Sequence, residues 1–206
     1  IVGVGDICNT SYSVGVKQTS RIYYHNFIEV IGFDESYAVQ RFNEAKEVFD
    51  KYAYLEERRG FGRSIVPHAP YSVSTKLLKI INEFGANDIV SMHNQESPGE
   101  NDLFLTGEGE MLRLYDNLKM DISNFKPAGV TSLQALHKDF DETHNLFLVH
   151  NVYTSCEDVA ALDGRRQNVF WCLCPNANLY ITGQLPDIDM LLKRDSNIVI
   201  GTDSLA

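Results

Sequence analysis

No stretch of this chain approaches the run of ~20 apolar residues that a membrane-spanning helix needs, and its first residues lack the charged, apolar and small segments of a secretory signal. A soluble, cytoplasmic protein is the expectation, with no membrane partner. Cysteine is sparse as well. Cys8, Cys156, Cys172 and Cys174 form no CxxC pair, which excludes a disulfide scaffold and a paired-cysteine zinc site. They are expected as reduced, buried thiols, and Cys172 and Cys174, on one face of a strand, are not expected to pair. Positive charge is in deficit. The 18 Lys and Arg stand against 28 Asp and Glu, a net charge of −10, which argues against a nucleic-acid or anionic-membrane partner. Several signatures are missing too. There is no P-loop and no GxSxG elbow. Gly3-Val4-Gly5-Asp6-Ile7-Cys8 opens like a dinucleotide fingerprint but has Cys8 where the third Gly belongs. Cys172-Leu173-Cys174-Pro175 has the wrong order and spacing for the PCxxC zinc signature of the cytidine-deaminase fold.

What remains is an ordinary globular composition, 44% hydrophobic and 22% charged over 206 residues, enough for a full core in one domain. Short apolar segments predict strands near 1–7, 21–31, 63–67, 88–92, 145–149, 168–173 and 197–201. Helical spacing predicts helices in 36–58 and 74–84, the latter closed by Gly85. Ser155-Cys156-Glu157-Asp158 reads as a helix-capping sequence with Gly164 as the stop, and a last helix covers about 185–194. Segment 97–144, punctuated by Pro98, Gly99, Gly107, Gly109 and Pro127, reads as a loop with one short helix, then a helix at 130–138. Alternating strands and helices imply parallel βα units. An open doubly wound sheet remains as an alternative to a barrel short of one unit.

Three of the predicted strands run straight into a residue able to bind a metal or move a proton. Asp88-Ile89-Val90-Ser91-Met92 leads to His93, Asn145-Leu146-Phe147-Leu148-Val149 to His150, and Ile198-Val199-Ile200-Gly201-Thr202 to Asp203. In a (β/α)8 barrel the strand C-termini share one mouth, where active sites are built. Glu96, three residues beyond His93, puts a carboxylate at the same end. Taken singly, each has a plainer reading: a loop His, a solvated Glu, a strand-end His bonded to backbone, an Asp capping a helix. Pro67-His68-Ala69-Pro70-Tyr71-Ser72 is equally a substrate-touching His68 or a stiff turn, with Ser72 or Ser74 capping the next helix. Cys174-Pro175-Asn176-Ala177-Asn178 either lines a pocket with its amides or makes an Asx turn.

Together these pieces resemble the amidohydrolase superfamily, in its cytosine-deaminase and chlorohydrolase-like branch, which includes adenosylhomocysteine deaminases. The matching segments are Pro67 to Ser72, His93 to Glu96, His150, Cys174 to Asn178, and Gly201-Thr202-Asp203-Ser204, in the family's order. The resemblance implies a TIM-type (β/α)8 barrel covered here from about strand 2 to strand 8, with strand 1 and the C-terminal part missing, so that residues 1–206 are one partial domain. It implies that His93 is a metal ligand, that Asp203 is a ligand that also takes a proton from water, and that Glu96 is the proton shuttle. His150 then orients water or substrate, and His68 contacts substrate. It implies one divalent metal, zinc ahead of iron or manganese, and hydrolytic deamination of a heterocyclic small molecule resembling a purine nucleoside. A homo-oligomer is compatible with it.

Two departures qualify the match. The family's first-strand His-x-His pair is absent, since the histidines stand at 25, 68, 93, 137, 144 and 150. The pair is expected upstream of Ile1, in a longer protein of which this chain is an internal piece. The carboxylated Lys of binuclear relatives is also absent, because Arg63-Ser64-Ile65-Val66-Pro67-His68 has no Lys, which favours a single metal. Competing readings are hydrolysis of another C–N or a C–Cl bond on the same scaffold, a catalytically inactive barrel that binds a ligand or partner, and an open sheet in which the three strand-end residues never meet.

Overall fold

The structure, a computed structural model, describes residues 1–55, 61–123 and 125–203. By their contacts they divide into two compact units, one of Ile1–His68 and Ser72–Ser91, the other of Ala69–Tyr71 and the chain from Met92 onward.

The first unit contains β1 (Gly3–Cys8), α1 (Val14–Thr19), β2 (Tyr23–Val30), α2 (Ala38–Lys51), β3 (Gly62–Pro67) and α3 (Thr75–Asn82). Its sheet has the order β1-β2-β3 and is parallel throughout, with Gly5 opposite His25 and His25 opposite Gly62. Alternate side chains of a strand share a face. Ile28 and Val30 of β2 and Ile65 of β3 therefore pack together with Ala45 and Phe49 of α2, Tyr52 just beyond it, and Leu77 and Ile81 of α3. Each large side chain buried this way contributes about 1.5–3 kcal/mol. The Ser74 hydroxyl caps α3 by accepting from the Leu77 amide. Lys17 is buried here but compensated: its ammonium donates to Asn26 Oδ1 at 2.6 Å, pairs with Asp6 and lies over the rings of Tyr24 and Tyr52.

The second unit takes up the chain inside β4 (Ile89–Asn94) and continues with α4 (Pro98–Thr106), α5 (Met111–Leu118), α6 (Ser132–Leu136), β5 (Asn145–His150), α7 (Cys156–Ala161), β6 (Val169–Leu173), α8 (Pro175–Ile181), α9 (Ile188–Lys193) and β7 (Asn197–Ile200). The sheet order is β4-β5-β6-β7, and β5 runs parallel to β6 and β6 to β7. Leu146 and Leu148 alternate with half-exposed neighbours, as do Val169, Trp171 and Leu173, so one face of β5 and β6 is apolar and buried. In neither sheet does the strand order reverse, as it does at the switch point of a doubly wound sheet; within each sheet the strands lie in sequence order.

All seven predicted strands form, within a residue or two of the expected bounds. The helices need more correction. Ahead of α6, segment 97–144 holds two helices, α4 and α5, where a loop and one short helix were expected, because its punctuation marks helix ends. Pro98 sits in the first turn of α4, where a missing N–H costs nothing, and Gly107 takes the left-handed C-cap at φ 76°. Pro175 likewise opens α8, so Cys174 to Asn178 is a helix start and not an Asx turn. Helix α1 was unforeseen. The helix expected over 36–58 is shorter, and residues 56–58 of it lie outside the described residues, as does Ser204. The Ser155 sequence forms a full capping box with Asp158. Cys156 is exposed, against expectation, because it occupies the first position of α7; all four thiols are free. Among the described residues no helix is long and apolar enough to cross a membrane.

Candidate metal and proton-transfer site

His150 closes β5, His93 is the last residue but one of β4, and Asp203 follows β7 by three residues. One ligand atom from each of the three lies within 4.8 Å of the others. The reading in which they never meet is therefore removed. The His93 and His150 rings stack with centroids 5.4 Å apart and planes 24° from parallel.

His150 is buried, and each of its nitrogens faces a side-chain oxygen. Nδ1 stands 2.8 Å from the buried Asn178 Oδ1. With the carboxamide oxygen facing the ring, Nδ1 carries the proton and Nε2 carries the lone pair. Nε2 faces Glu96 Oε1 at 3.4 Å. Glu96 keeps 20% of its side chain exposed while His150 keeps 1%, so Glu96 can exchange protons with solvent and His150 cannot do so directly.

The backbone at these strand ends is unusual. Gln95, His150, Asn151 and Asp203 all have positive φ, between 47° and 79°. For residues other than Gly such conformations cost on the order of 1–3 kcal/mol each and persist only where the surroundings impose them. Here a buried polar network does so. Asn94 donates to Asn151 Oδ1, the Asn151 amide returns a bond to the Asn94 carbonyl, and the Gln95 carboxamide is held by Thr154, Asn101 and Asp158. Asp158 also accepts from Thr131, Gln134 and the Ser155 amide. Gly201, just before Asp203, is required by space: a Cβ there would lie 2.8 Å from the sulfurs of both Cys172 and Cys174. The Cys174 thiol is pushed up by its hydrogen bond with Cys172 and by burial, with the Asp203 charge adding to both, so it is not a nucleophile at neutral pH.

His68 belongs to the first unit, where its Nδ1 lies 2.7 Å from Ser72 Oγ. The residues that the sequence did not single out as functional are Asn178 in that role, Asn151 and Glu100. Glu100 is fully buried, and burial pushes its carboxyl up to about 7, with bonds from Ser132 and the Gln95 amide opposing and the Glu96 charge adding. A carboxyl raised in the folded state stabilises the fold fully below its unfolded value near 4.5, and that stabilisation is lost as pH rises through about 7. Between those values the folded chain holds a proton that the unfolded chain has released. Thermal unfolding across this window is expected to show stability falling toward neutrality, and Glu100→Gln to flatten that fall; identical pH profiles for the two proteins would contradict the assignment.

The donor set suits a divalent metal. Imidazole nitrogens and a carboxylate are donors that zinc takes, and bonds of 2.0–2.1 Å put tetrahedral ligands about 3.3 Å apart, within easy reach of the spacing found. A lone pair and carboxylates facing one spot are also what a bound cation satisfies.

Comparison with known proteins places the family. The model of the amidohydrolase family matches residues 12–206. An adenosine deaminase of Helicobacter pylori is 26% identical over 98% of this chain and 49% of its own. The crystal structure of Helicobacter pylori aminofutalosine deaminase superposes with a TM-score of 0.84 at 22% identity, over 100% of this chain and 50% of that one. That of an adenosine deaminase from Xanthomonas campestris with bound zinc does so with a TM-score of 0.66 at 18% identity, over 98% and 42%. The chain thus spans about half the length of the curated relatives it matches. With its family model covering nearly the whole chain, this protein belongs to the amidohydrolase family, in the branch that its deaminase relatives occupy.

Proposed function

We propose that the protein carrying this chain is a metal-dependent aminohydrolase. It converts an amino-substituted heterocycle and water into the hydroxy (oxo) product and ammonia, and a purine nucleoside type of ring is the best-supported substrate. The observation that carries this reading is the meeting of His93, His150 and Asp203 within 4.8 Å, with Glu96 at 3.4 Å from His150. In this reading residues 1–206 form one partial barrel domain supplying strands 2 to 8 of a (β/α)8 barrel, and the family's His-x-His pair lies upstream of Ile1.

His93 and Asp203 would hold the metal, with His150 beside them. When bound, a divalent metal, zinc best matching the nitrogen and oxygen donors, supplies Lewis acidity that brings a water's pKa toward about 7. The chain's own residues do the rest. His150, its Nδ1 fixed by Asn178, presents Nε2 to hold the attacking water in line. Asp203 accepts the proton that this water releases. Glu96 protonates the ring nitrogen next to the amino-bearing carbon as attack proceeds; the proton that Asp203 took from water then goes to the departing amine, and the adduct's hydroxyl proton returns to Glu96 as the C=O forms. The partial exposure of Glu96 also lets it exchange protons with solvent. His68 is a candidate substrate contact.

The test is product release from the metal-loaded full-length protein with adenosine-type and other amino-heterocycles. Ammonia in step with substrate loss is the expected result. Chloride from chlorotriazines without ammonia would move the assignment to C–Cl hydrolysis, and no product from either class would favour an inactive, ligand-binding barrel.

A further inference from the structure

We propose that Glu100, together with Ser132, is the positioning residue for the Glu96 turn. Its buried carboxyl clamps the Gln95 amide and thereby fixes where Glu96 stands against His150. The proposal rests on the reading of Glu96 as the proton carrier.

The sequence Ser97-Pro98-Gly99-Glu100 has the S-x-x-E pattern of a capping box, in which the Glu bonds back to the cap residue's own amide. The box does not form. Ser97 makes no side-chain cap bond, and the Glu100 carboxyl reaches past the cap to accept the Gln95 N–H at 3.0 Å. Gln95 is the left-handed residue, φ 47°, that turns the chain between His93 and Glu96. From the other side Ser132 Oγ, on α6, donates to the same Glu100 oxygen at 2.5 Å. The second oxygen, Oε2, is buried with no hydrogen-bond partner among the described residues. A buried carboxyl with one orphaned oxygen is costly to the fold, and an apolar side chain of the same volume would pack there at lower cost. Its contribution is the fixed turn. A carboxylate that must deliver a proton within hydrogen-bond reach tolerates little displacement, since a shift of about 1 Å can cost ~10²-fold in rate.

The experiment compares wild type, Glu100→Ala, Glu100→Gln, Glu96→Gln and the Glu96→Gln/Glu100→Ala double variant in the metal-loaded full-length protein. Glu100→Ala is expected to lower kcat by roughly 10–100-fold, as for other residues that orient a working group, with KM and metal content held. Glu100→Gln keeps an acceptor for the Gln95 amide and is expected to restore most of the rate. If Glu100 acts through Glu96, the double variant turns over no more slowly than Glu96→Gln alone. In the metal-free protein, amide exchange of the segment 94–97 is expected to quicken in Glu100→Ala and not in Glu100→Gln. Should Glu100→Ala fail to fold, Glu100→Met, of similar volume, carries the same expectations. A wild-type rate in Glu100→Ala beside a slow Glu96→Gln, multiplicative losses in the double variant, or unchanged exchange would each overturn the proposal. A wild-type rate in Glu96→Gln overturns the reading of Glu96 instead, and the exchange measurement then decides the clamp by itself.

Discussion

Glu96→Gln is expected to keep its metal and to lose roughly 10²–10⁴-fold in turnover, the range for removing a general acid–base group. The substitution preserves shape and leaves a neutral amide beside His150, so it alters proton transfer with little change in packing. Glu96 stands 3.4 Å from His150, which holds water and not the metal in this reading, and for that reason occupancy is expected to hold. Steady-state ammonia release together with elemental analysis of the same sample separates the two effects. Full activity would remove Glu96 from the mechanism. Equal loss of metal and rate would make it a ligand.

His93→Ala should act in the opposite order. It removes one of the three donors that meet within 4.8 Å, and a first ligand must matter more than the outer partners whose loss costs 10–100-fold in affinity. Metal affinity is therefore expected to fall by more than ~10²-fold and turnover with it, partly restored at high metal concentration. The measurement is metal retained during dialysis against a chelator of known affinity. Retention equal to wild type would exclude His93 as a ligand. Stability should change little, because His93 is only partly buried and stacks on His150 without filling the apolar face of the sheet.

His93 was legible in the sequence because the rule that exposes it is local, and Glu96 followed from standing three residues beyond it. A four- to six-residue apolar run followed by His or Asp marks a strand end, and the strand bounds held within a residue or two for the same reason. What the sequence hid depends on which way a turn sends its side chains. Asn178 is an unremarkable residue three places after a Pro until α8 forms and aims its carboxamide at His150. Glu100 reads as a first-turn acid favoured by the helix dipole; only the left-handed turn at Gln95 brings a backbone amide to it and buries it. Gly107 and Pro98 were visible as punctuation but ambiguous, because the same residues end loops and helices alike. Gly201 is needed only because Cys172 and Cys174 crowd one strand beyond it, a contact between segments distant in sequence.

The central claim is that His93 and Asp203, with His150 beside them, build a catalytic metal site. Metal content per chain of the purified full-length protein, by elemental mass spectrometry, tests it most directly. About one zinc, iron or manganese per chain in the wild type, and far less in His93→Ala, is the predicted result. A wild-type protein that holds no metal after metal-supplemented expression, yet is folded, would contradict it.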